Sequence, residues 1–226
     1  MSGRPANRSS RRSVRRVAPP IRVHELADWT AGMPVFVPQG YEPAYDYPLL
    51  VWLGDPLAAP VDLARVMPRV SLRNFVAVRA TGGAAAAWQA VDRVSGRLSI
   101  HPRRVWLVGA GAAGTEAFRI ACRHPESFAG VVSLGGSFPL DESLFARIDA
   151  IRRLPMLHCC TAADVAAAAD RTDRTLRLFH AAGAMLVMRI YPGTTPLSRT
   201  VLADVNRWLM EETCGSRVDQ RTVVAG

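Results

Sequence analysis

Short apolar runs rich in Val, Leu and Ile alternate along this chain with longer segments of helical periodicity. The runs LLVWL (Leu49–Leu53), FVAVR (Phe75–Arg79), VWLV (Val105–Val108), GVVSL (Gly130–Leu134), MLHCC (Met156–Cys160) and MLVMRIY (Met185–Tyr191) each predict a strand. They are almost continuously apolar, as expected of strands buried on both faces. Between them, Ala84–Val94 places Trp88, Val91 and Val94 on one helical face, and Thr115–Arg123 predicts a second helix. A loop and helix are expected up to about Arg153. Arg171–Ala182 reads as a helix stopped by Gly183, and Arg199–Glu212 as a closing helix with Val201, Leu202, Val205, Trp208 and Leu209 in one stripe. Strand–helix alternation of this kind predicts an α/β domain of three layers around a mostly parallel sheet of about six strands.

Composition sets the limits of that domain. At 226 residues and 49% hydrophobic content, the chain suffices for one domain with a substantial core, expected at 23–213. The first 22 residues contain seven arginines and no acid, so they should remain a solvated tail. Residues 214–226 should fray. Removing the seven tail arginines from the formal net charge of +9 leaves +2 for the remainder, so the basic balance is mostly a property of the tail. The partner it suggests is a weak anionic one, a nucleic acid or an anionic membrane surface. Arg11-Arg12 is not followed by an apolar stretch, so an export signal is not expected. No apolar run approaches the roughly 20 residues of a membrane span. Cys122, Cys159, Cys160 and Cys214 lack metal-ligand spacing, which points to free thiols in a cytoplasmic protein with no metal and no cofactor.

The stretch VWLVGAGAAGTEAFRIA (Val105–Ala121) admits two chemistries. Gly109, Gly111 and Gly114 match a dinucleotide-binding loop, in which glycines cradle a pyrophosphate and an acid about twenty residues later holds the ribose. Here the next strand ends Ser133-Leu134-Gly135-Gly136-Ser137, and no carboxylate follows until Asp141. Two strands also precede the motif, whereas the NAD(P) fingerprint opens its domain. The second reading is a nucleophile elbow, G-x-S-x-G, with Gly109 and Ala113 as small flanks and Gly111 at the central position.

The segments YPLLVWL, VMPRVSLRNFVAVRA, HPRRVWLVG, FRIACRHPESFAGVVSLGGSFP and RIYPGTTPLSRTVLADVNRWL, in that order, resemble the carboxylesterase/phospholipase branch of the α/β-hydrolase superfamily. The resemblance spans about Tyr47 to Met210 and implies the α/β-hydrolase fold. It assigns the nucleophile position to Gly111, the acid to Asp164 and the base to Thr195, with Gly54, Asp55 and Ala112 on the oxyanion side. Pro56, next in the chain, has no N–H to donate. A triad needs a nucleophile, a base and an orienting carboxylate, and two of these are missing. The expectation is a non-catalytic relative binding a small acyl or ester-like ligand above Gly111. The alternative is an esterase-like hydrolase using other groups.

The other groups each have a plainer reading. Thr115 suits a helix start, Cys160 and His158 a packed strand, and Asp164 serves equally as a helix cap. His24, His101, His124 and His180 fall where the family places no catalytic group.

Overall fold

The computed structural model describes residues 33–137, 147–167, 176–193 and 195–215. The basic tail, residues 138–146 of the loop and helix expected up to Arg153, residues 171–175 of the helix expected at 171–182 and residues 216–226 of the tail expected to fray at 214–226 lie outside the described residues, whereas Cys214 ends the closing helix. The elements are β1 (Val35–Phe36), β2 (Tyr47–Gly54), α1 (Leu63–Val70), β3 (Val76–Thr81), α2 (Gly83–Ser95), β4 (Ile100–Ala110), α3 (Ala112–Arg123), β5 (Gly130–Leu134), α4 (Ile148–Ile151), β6 (Met156–Thr161), α5 (Ala162–Ala167), β7 (Leu186–Tyr191) and α6 (Arg199–Cys214). Residues 176–181 are also helical.

The strands form one sheet in the order β1-β3-β2-β4-β5-β6-β7. All neighbours are parallel except β1, which pairs antiparallel with β3 through Val35 and Phe36. The described residues thus form seven strands where about six were expected. The added one is two residues long and too short to show a period.

Alternate residues of each strand enter two separate cores. Leu49, Val51, Val76, Val78, Leu107, Val131 and Met156 pack with Ala87, Ala90 and Val94 of α2 and with Ala117, Phe118 and Ala121 of α3. On the opposite face Leu50, Trp52, Trp106, Val108, Val132 and Leu157 meet Val66, Met67 and Val70 of α1 and Val201, Val205, Trp208 and Leu209 of α6. Burying each large side chain contributes roughly 1.5–3 kcal/mol, so the two faces together fix the three-layer order. The Asp62 carboxylate accepts from Ala64 N–H to start α1, and Ser198 Oγ accepts from Val201 N–H to start α6.

This arrangement sends every parallel strand toward the same edge of the sheet. There β4 turns sharply into α3, and the described residues that directly follow β2, β5, β6 and β7 lie on the same edge.

Candidate functional site

Gly111 is the residue on which β4 turns into α3. Its backbone lies at φ +57° and ψ −130°, a region in which L side chains are strained. Its N–H donates to Leu134 O at 2.9 Å, tying the turn to the end of β5, and its own carbonyl accepts from Gly114 N–H at 2.9 Å. The amides of Ala112 and Ala113 therefore stand ahead of the first intrahelical bond, at the positive end of a 12-residue helix. Among the described residues no atom outside its chain neighbours lies within 4 Å of where a Cβ on Gly111 would be, so a side chain there would enter open space.

The flanking glycines serve packing. A Cβ on Gly109 would overlap the carbonyl of Ala113, and one on Gly114 would lie 2.5 Å from Ser133 Oγ and 3.0 Å from Gly109 O. Close approach of strand and helix accounts for both positions.

The loops meet at Gly135-Gly136. A Cβ on Gly136 would lie 2.8 Å from Gly111 O and 2.8 Å from Thr115 N. One on Gly135 would lie 3.1 Å from Pro196 Cβ and 3.7 Å from Asp164 Oδ2. The turn at Gly111, the Asp164 carboxylate and the segment of Thr195-Pro196 thus gather around one glycine pair. Gly54 and Asp55 follow Leu53, which is paired in register with Gly109, so they flank the same turn on its other side.

Local partners define what each of these residues does. Asp164 Oδ2 accepts from the N–H and the hydroxyl of Thr161, both at 2.8 Å, while Asp164 N–H donates to Thr161 Oγ1 at 3.2 Å. This reciprocal pair is a capping box at the start of α5. The Asp55 carboxylate accepts from Leu57 N–H at 2.8 Å, closing an Asx turn. Thr195 is exposed, and its carbonyl accepts from Ser198 N–H at 3.2 Å in the turn that leads into α6. Thr115 Oγ1 accepts from Ser137 N–H at 2.9 Å and so braces the loop after β5.

The candidate substitute groups sit in the core. Burial pushes the Cys160 thiol up to about 11, with the Asp164 charge adding to the effect, so it is protonated at neutral pH. Burial likewise raises Cys159 and Cys122 to about 12. His158, 3% exposed, packs against Phe118 at a ring separation of 6.0 Å. Burial lowers its pKa to about 4 against the opposing pull of Asp164. Beside it in register on β5 is Ser133, fully buried, whose Oγ has no hydrogen-bond partner among the described residues. Sequence reading named Ser133 and Gly135-Gly136 only as a strand end and marked neither them nor Thr161 as part of the site. The SLGGS string after β5 was the available signal for the glycine pair.

A parallel sheet with flanking helices and a glycine turn between its fourth strand and the following helix defines the class: the chain has the α/β-hydrolase fold. Among solved structures it is similar to a ferulic acid esterase, with TM-score 0.62 and 14% identity over 80% of this chain and 91% of that one. It is also similar to esterase 2 of Thermogutta terrifontis, with TM-score 0.55, 17% identity, and 79% and 88% of the two chains covered. A thermostable esterase matches with TM-score 0.59 and 15% identity over 79% of this chain and 58% of that one. By sequence, 49 residues are 39% identical to a putative esterase of Nocardia uniformis subsp. tsuyamanensis, which is 22% of this chain and 14% of that protein. The chain thus spans just over half of the thermostable esterase, and the aligned stretch a small part of the Nocardia protein. No family model matches. Among the described residues no helix is long and apolar enough to cross a membrane.

Proposed function

We propose that this protein is a non-hydrolytic relative of the carboxylesterase/phospholipase-like α/β-hydrolases that binds a small acyl or ester-like ligand above Gly111. The observation that carries the proposal is the turn itself. It keeps the strained backbone of a nucleophile elbow at a residue with no side chain, below open space. Acyl transfer by a triad needs a nucleophilic oxygen at that point and a base to accept its proton. In this reading Thr195 stands where the base would be, and Asp164 is occupied as a cap.

The same geometry favours a neutral ligand. The Ala112 and Ala113 amides at the start of α3 attract a carbonyl oxygen, whereas the carboxylates of Asp55 and Asp164 on either side of the turn disfavour a free acid. Coverage of the relatives is compatible with this reading, since the named neighbours are esterases of the same fold.

The test is a comparison of p-nitrophenyl acetate and p-nitrophenyl butyrate turnover by the native chain and by a heat-denatured sample. No excess over the denatured sample is expected, together with a saturable rise in melting temperature on titration with methyl butyrate. Turnover that saturates with substrate and disappears on heating would instead favour an esterase working through other groups.

A further inference from the structure

At the opposite edge of the sheet, where β4, β5 and β6 begin, a second cleft of about 460 Å³ opens beside the last turn of α6. Its size falls within the usual range of small-molecule sites. His101, Arg103, Arg104 and Arg153 line it, with Glu212 as the one acid among the described lining residues. Three guanidinium groups thus face one carboxylate and the end of α6, whose carbonyls carry roughly half a negative charge. Arg103 and Arg104 alone bring two positive charges that no acid among the described residues holds in an ion pair.

A further observation indicates a site rather than a solvated face. Arg103 and Arg104 make no side-chain hydrogen bond or ion pair among the described residues, whereas Arg119, Arg147, Arg152 and Arg207 each pair with an acid. In addition, His101 Nδ1 accepts from Arg103 N–H at 3.2 Å, which leaves Nε2 as a donor.

We propose that this cleft binds the phosphate group of a small phosphate monoester. Guanidinium forks match phosphate oxygens with paired N–H bonds, and a dianion answers two such positive charges better than a carboxylate does. The Nε2–H of His101 supplies a further donor. The site is independent of the Gly111 turn and would operate whether or not that turn hydrolyses anything.

The experiment is isothermal titration of the full chain with inorganic phosphate and with glycerol 3-phosphate, using acetate at matched ionic strength as the monoanion control. Saturable binding of both phosphates is expected, with acetate silent. Arg103→Gln/Arg104→Gln should weaken phosphate binding by about tenfold or more, and His101→Phe, which removes the Nε2 donor, should weaken it less. Absence of saturable binding by either phosphate overturns the proposal. So does binding that is undiminished in both variants, or acetate binding as tight as phosphate. Tighter binding of glycerol 3-phosphate than of inorganic phosphate would support the ester over the free ion.

Discussion

Gly111 combines a positive φ with empty space, so a side chain placed there meets no neighbour and costs only backbone strain. Gly111→Ser is therefore expected to destabilise by about 1–3 kcal/mol. At about 2–4 °C per kcal/mol for a chain of this length, the melting temperature should fall by several degrees. Gly109→Ala must instead displace the Ala113 carbonyl, and its melting temperature should fall further than that of Gly111→Ala. The reverse order, measured by thermal denaturation, would mean that the turn is held by something other than the strand–helix contact.

His158 gives a second prediction at this scale. Between its folded pKa of about 4 and the ordinary 6.5, the unfolded chain binds a proton that the folded chain does not. Stability should thus fall by about 1.4 kcal/mol for each pH unit as pH drops through that window, and be unaffected by His158 above it. In His158→Met, urea denaturation at pH 7 and pH 5 should show a smaller difference than in the parent chain. An unchanged difference would place the acid sensitivity elsewhere.

Among the elements, β2, β3, β5, β6 and the second half of β4 were legible because burial on both faces leaves nearly unbroken apolar runs, and β7 because it is apolar in sequence although Val187 and Ile190 are exposed at the sheet edge. The first half of β4, Ile100–Arg104, was not, because it is mostly polar and partly exposed. Nor was α1: Pro68 lies inside it and interrupts the usual helical signal, yet Leu63, Val66, Met67 and Val70 still bury one face. At the site, the glycine turn was readable from its place between an apolar run and a helical one. The capping box of Thr161 with Asp164 was only half readable, since the cap and the relic-acid readings of Asp164 look alike in sequence. The junction at Gly135-Gly136 was hidden because register between separate strands creates it. Element geometry also bears on the NAD(P) reading of Gly109, Gly111 and Gly114. Two of these glycines are explained by close packing, so a thermal-shift titration with NAD and NADP is expected to be flat. A saturable shift would restore the phosphate-loop reading.

For the molecule as a whole, the parallel sheet separates two chemistries. Its carboxyl edge carries the glycine turn with two carboxylates near it, and its amino edge carries the arginine-lined cleft. The first is proposed to take a neutral acyl or ester group and the second a phosphate, so the two should be separable by substitution. The central claim concerns the first edge. It is tested most directly by intact-mass spectrometry of the native full chain after exposure to a fluorophosphonate, with an active serine hydrolase treated in parallel. The account predicts an unmodified mass while the control gains one adduct. A single stoichiometric adduct that depends on the folded state and maps to the loops around Gly111 would contradict it.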